Sequence, residues 1–218
     1  MRKVVTVALV AAALSGCAGP AKREYVLGAA GAPENTLAEQ TALPVVQVER
    51  IQLPDYLDTR DILTKRDHQI VPSETGRWAE RLSVGATRVL ATSLGAHLKG
   101  VVVTSAQPVD PPVLRVVIDV TAFGSTADGQ VVLTARWTLT DGTGQRSLAA
   151  EQATLTEPVS GAPDVAVVAA MSLALEKLAN RISAAIEPKL GQRRPSGLAF
   201  VPNLPTRQFP CAIEKKES

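Results

Sequence analysis

Aromatic side chains are scarce in this sequence: two Trp, two Tyr and three Phe among 218 residues. Cys and His are rarer still, at two each, and charge of one sign is almost balanced out, because Arg2 and Lys3 account for the whole formal net charge of +2. Each shortage excludes something. A near-neutral chain with few rings has neither the basic face that phosphates require nor the stacking platforms that hold single strands, so nucleic acid is not its partner. The Cys and His residues lack finger or ribbon spacing, which argues against a zinc site. A hydrolase needs a base beside its nucleophile, and His, the commonest such base, occurs only twice. His68 lies among Lys65, Arg66 and Asp67 and reads as a solvated residue; His97 ends a helical pattern, where a cation suits the helix dipole. No phosphate loop, Gly-x-Ser-x-Gly elbow or His-Glu-x-x-His pair occurs. Asp55, Asp58 and Asp61 recur every third residue but lack the alternate-position oxygens, central Gly and closing Glu of a calcium loop. The expectation is a protein without enzymatic activity, metal or cofactor.

What is present begins with the first seventeen residues. Arg2-Lys3 is followed by an apolar run of about eleven residues and then by Leu14-Ser15-Gly16-Cys17. The run is well short of the ~20 residues that span a bilayer, so it reads as a signal peptide over residues 1–16 and not as a transmembrane helix. The small residues before Cys17 form a bacterial lipobox, in which Cys17 takes a lipid at sulfur and becomes the acylated first residue of the mature chain. The alternative is an ordinary secretory signal cleaved near Ala18. With two or more acyl chains the anchor holds durably, and Ala18, not Asp, after Cys17 favours the periplasmic face of the outer membrane. A lipidated Cys17 leaves Cys211 without a partner in its own chain, either as an intermolecular bridge or as a free thiol in the tail.

Residues 17–43, rich in Ala, Gly, Pro, Glu and Thr, read as a lipidated tether, with one apolar knot at Tyr25-Val26-Leu27. Residues 18–24 alone allow a body to stand roughly 25 Å from the lipid. A folded domain is expected over 44–190. Its first strand runs from Val45 to Leu53 and ends at Pro54; a hairpin follows, with Lys65-Arg66-Asp67 at its turn. The spacing of Trp78, Leu82, Ala86 and Val89 predicts an amphipathic helix between Arg77 and Leu98, closed by Lys99-Gly100. Leu114, Val116, Ile118, Val120 and Ala122 share one parity of a further strand, and turns at 127–130 and 141–144 make a three-stranded meander. The clearest period is Val168, Met171, Leu175, Leu178, Ile182 and Ile186, a helix expected to stop at Pro188. The fold class is therefore α+β, a largely antiparallel sheet with two helices packed on one face. Residues 191–218, with Pro195, Pro202, Pro205 and Pro210, read as a Pro-rich tail outside the packed body.

Four segments together resemble the ABC-type transport auxiliary lipoprotein family, the PqiC-like lipoproteins. They are Leu14 to Cys17, Tyr25-Val26-Leu27-Gly28, Leu53-Pro54-Asp55-Tyr56-Leu57-Asp58 with Arg60 and Ile62, and Arg77-Trp78-Ala79-Glu80-Arg81-Leu82. Arg81 departs from the family pattern, which commonly has Pro there. The resemblance implies a non-enzymatic component of an MCE-type lipid transport system, in which an inner-membrane permease and ATPase work with a periplasmic MCE protein. The lipoprotein is implied to be the outer-membrane end of that system and to form a homo-oligomeric ring.

Residues 54–61, where Tyr56 stands among carboxylates, are a candidate partner-facing loop, with Asp55, Tyr56, Asp58 and Arg60 as the contact residues. The competing reading has Tyr56 and Leu57 packing under Trp78 and merely fixing hairpin to helix. Two other functions stay open: a structural or regulatory lipoprotein that binds a cell-wall or envelope enzyme, and a lipid carrier, which needs an apolar cavity between sheet and helices.

Overall fold

Strand β6 (Leu114–Thr126) is the axis on which the sheet is built, because three other strands pair with it. The computed structural model describes residues 21–28, 43–161 and 163–191. In chain order the other elements are β1 (Arg23–Tyr25), β2 (Val45–Val48), β3 (Asp61–Arg66), β4 (Gln69–Trp78), α1 (Leu82–His97), β5 (Val102–Thr104), β7 (Gln130–Asp141), β8 (Ser147–Pro158) and α2 (Pro163–Gly191). On one side β6 pairs antiparallel with β7, and β7 with β8. On the other side β6 is shared: β2 runs parallel to it at Leu114–Val116, and β3 runs parallel to it at Ser125–Thr126. Beyond β2 lies β5, and beyond β3 come β4 and then β1.

The α+β class stands. The sheet is antiparallel in its long strands and parallel at four short pairings, β1–β4, β2–β5, β2–β6 and β3–β6. Both helices lie on the same face of it, in contact with each other. Alternation explains the face: in β6 and β7 every second residue is apolar and buried, so one side of each strand must be covered. Leu90, Leu94, Ile118, Leu133, Leu175 and Leu178 fill the space between sheet and helices, all fully buried.

Several expectations are corrected. The parity expected along β6 is broken by a bulge between Val120 and Ala122, which turns Ala122 partly outward and brings Phe123 into the core. Val45 to Leu53 is not one strand; β2 stops at Val48, and the chain continues beside β6 through the Glu49 N–H, which donates to the Val116 carbonyl, and an isolated bridge, Gln52 to Asp119. Trp78 belongs to β4 and not to the first helix, because its N–H donates to the Arg60 carbonyl at 2.7 Å and it pairs with Tyr25; the helix begins four residues later. Trp78 is nevertheless buried in the core. The hairpin turns on Asp67-His68, with Lys65 and Arg66 still in β3.

The tether expected over 17–43 is interrupted by β1, an edge strand parallel to β4, and Leu27 just after it is buried. Cys17 and Cys211 lie outside the described residues, as does the tail beyond Gly191. Pro188 does not stop α2, which runs on to Gly191. In the last turn the ring removes only one donor, the one that would reach the Ala184 carbonyl, and Leu190 still packs against the core. Among the described residues no helix is long and apolar enough to cross a membrane.

Candidate functional site

The loop 54–60 fills the gap where the β2 line ends and β3 begins, and it abuts the amino end of α1. That end is poorly provided by its own sequence: the N-cap position is Arg81, no side chain caps it locally, and its first turn carries no acid. An uncapped end leaves N–H groups and a partial positive charge unmet. Asp58 supplies both from the loop. Its Oδ1 accepts the Ser83 N–H at 3.0 Å, its Oδ2 accepts from Arg81 Nη1 at 3.1 Å, and Arg50 Nη2 stands 3.8 Å from the same oxygen. Arg50 in turn donates to the Ser83 hydroxyl at 2.7 Å. Partial burial opposes ionisation of Asp58, but the Ser83 N–H and hydroxyl and the Arg81 guanidinium outweigh it and hold the carboxyl below the usual range. The result is a charge-compensated cap.

The other loop residues divide by direction. Leu57 is buried and lines a narrow gap with Trp78, Leu82, Phe123 and Met171, so this half of the packing alternative is what the fold adopts. Tyr56 is not under Trp78: it is 49% exposed and borders a shallow depression with Leu63, Lys65, Ile70 and Val132 on the sheet face away from the helices. Asp55 is exposed. Arg60 is committed to the fold through Nε, which donates to the Trp78 carbonyl at 3.2 Å, and through Nη2, which donates to Glu24 at 3.2 Å. Glu24 also accepts from Arg77 at 2.6 Å, so β1, the loop and β4 are laced together.

Of the four residues singled out from sequence, Asp55 and Tyr56 thus face solvent, while Asp58 and Arg60 are largely used in holding the loop. Arg50, Ser83 and Glu24 completed this network without being singled out. The available signal was Arg81, since a helix opening on Arg where Ser, Thr, Asp or Asn is favoured needs its cap from elsewhere. Among the described residues no group of three His, Cys, Asp or Glu is placed to hold a metal ion.

The family of ABC-type transport auxiliary lipoprotein components matches residues 25–183. The chain belongs to that family. The match begins at the last residue of β1 and ends within α2, so it takes in the loop, α1 and the sheet from β2 to β8. Its members are a non-enzymatic kind of transport component. A crystal structure of an uncharacterized protein is similar with a TM-score of 0.63 and 23% identity, covering 77% of this chain and 99% of the other. The structure of protein XCC0632 from Xanthomonas campestris is similar with a TM-score of 0.60 and 17% identity, covering 78% and 98%. At these identities the likeness establishes the fold. No curated protein matches the chain.

Proposed function

We propose that this protein is lipidated at Cys17, resides on the periplasmic face of the outer membrane, and docks the periplasmic MCE assembly of an ABC-type lipid transport system. It performs no chemistry there and takes no cofactor beyond its covalent lipid. Its contribution is attachment: the lipid holds one end at the membrane, and the folded body presents surface to the MCE protein that stands over the inner-membrane permease and ATPase. The observation that carries this reading is family membership over residues 25–183, joined to the lipobox that precedes them. The filled interface between sheet and helices supports a docking role over a carrier role. Within the loop, Asp55 and Tyr56 are the residues a partner meets, and Asp58 and Arg60 keep them in place.

Crosslinking in intact envelopes followed by mass spectrometry tests the proposal. The anchored protein should recover an MCE protein with its permease, Cys17→Ala should weaken that recovery, and Tyr56→Ala should weaken it with the anchor intact. Recovery of cell-wall enzymes and no MCE component would overturn it.

A further inference from the structure

The hairpin of β3 and β4 carries a solvated tip next to the depression that Tyr56 borders. Lys65, Arg66, Asp67, His68, Gln69 and Ile70 are all exposed, and Ile70, at 40%, is among the few large apolar side chains turned outward. Asp67 takes φ 52 to make the turn. Among the described residues neither Lys65 nor Arg66 forms an ion pair, although most of the other Arg and Lys side chains near the loop do.

The direction of β1 decides what this tip meets. β1 runs parallel to β4, with Arg23 beside Gly76 and Tyr25 beside Trp78, and Lys22 reaches back to the Ser73 carbonyl at 2.7 Å. Followed toward its amino end, β1 therefore points along β4 toward the hairpin tip. From Thr75, level with Lys22, to His68 is seven residues of strand, about 23 Å at ~3.3 Å per residue. From Lys22 back to Cys17 is five residues, at most ~18 Å when fully stretched. The hairpin outreaches the anchor segment. A chain held at Cys17 cannot stand with this end toward the bilayer unless the tip reaches the headgroup layer.

We infer that the β3–β4 hairpin tip is a second membrane contact, in which Lys65 and Arg66 bind anionic phospholipid headgroups and Ile70 enters the interface beside them. Two unpaired cations at an exposed turn, with an exposed aliphatic side chain, have the chemistry of such a surface, where basic residues are drawn to anionic headgroups and apolar ones are buried at their level. The inference rests on the Cys17 anchor of the proposed function and adds an orientation to it: the hairpin end faces the membrane.

The test places an environment-sensitive fluorophore at His68→Cys in a Cys211→Ser background of the full mature chain, on vesicles of phosphatidylethanolamine with phosphatidylglycerol at three to one. Brominated lipids should quench this probe severalfold more than one at Val109→Cys, a fully exposed position outside the hairpin. Lys65→Glu with Arg66→Glu, or replacement of phosphatidylglycerol by phosphatidylcholine, should remove most of the difference. Equal quenching at both positions, or quenching indifferent to lipid charge and to the double substitution, would overturn the inference, and so would protection of the tip only when an acidic protein partner is added. The mass of the mature amino terminus reports separately whether Cys17 carries lipid. If it does not, the anchor reading fails, and flotation of the unmodified chain with the same vesicles, against the double variant, still decides whether the tip binds lipid.

Discussion

The Asp58 carboxylate accepts a hydrogen bond from the Ser83 backbone N–H at 3.0 Å, closing a helix whose own sequence has no cap. Replacing Asp58 by Ala should therefore cost about 1 kcal/mol, the usual worth of a cap, read as a lower urea midpoint. Folding lowers the pKa of this carboxyl, so its stabilisation is present above the unfolded value of about 4 and is lost as pH falls through the folded one. Asp58→Asn should flatten that part of the stability curve below about pH 4. An unchanged acid slope in the variant would show that Asp58 does not carry it.

Tyr56 and Leu57 are adjacent but face opposite surroundings. Leu57→Ala should destabilise by about 2–5 kcal/mol, as other buried Leu truncations do, whereas Tyr56→Ala should leave stability within about 0.5 kcal/mol. Thermal unfolding of the two variants in parallel checks this. If Tyr56→Ala retains the fold, any loss of crosslinking to a partner is a loss of surface and not of structure.

Gly76 is required by proximity. A Cβ there would lie 2.6 Å from Asp164 Oδ2 and 2.8 Å from Tyr25 Cε2, and the Asp164 carboxylate is held in place by the Thr75 hydroxyl, which donates to it. Gly76→Ala should cost about 1–3 kcal/mol and loosen β1, seen as faster amide exchange at residues 23–25. Gly191→Ala, where nothing lies within 4 Å of the added carbon, should not lower the melting temperature.

Two pairs tie β8 to α2 and differ in burial. Glu157, with 4% of its side chain exposed, receives Lys177 Nζ at 2.6 Å, while Glu151 and Arg181, 3.2 Å apart, are each about half exposed. Lys177→Met strands a buried carboxylate and should cost about 2 kcal/mol, below the full penalty of a buried pair because the Lys end is half exposed. Arg181→Met should cost under about 1 kcal/mol. Equal losses in urea titration would refute the distinction.

The parts of the fold legible in the sequence were those in which one local period dominates. The apolar repeat of α2 and the alternation of β6 and β7 need only their own residues to be read. Trp78 was misplaced because spacings of four, four and three through Leu82, Ala86 and Val89 suit a helix, while the competing pairing with Arg60 and Tyr25 comes from distant residues. β1 was hidden for the same reason: three residues on a sheet edge have no period, and their strand character comes from β4. The bulge at Val120 and the survival of α2 past Pro188 depend on packing that no single segment records. At the site, the sequence left Tyr56 open between exposure and packing under Trp78, because adjacent loop residues carry no period that separates their faces, and the use of Asp58 as a cap was hidden, since its partner lies 25 residues away.

The length of α2 bears on how far the protein reaches. Its 29 residues form a rod of about 43 Å at ~1.5 Å each. Its first turn lies against Thr75 and Gly76 of β4, beside β1. Its last turn lies with His97 to Gly100 around a depression of about 650 Å³. The helix is thus a measuring rod between the two ends of the folded body. The chain enters β1 beside the first turn of this helix and leaves the described body at Gly191, so its points of entry and exit stand a full helix length apart.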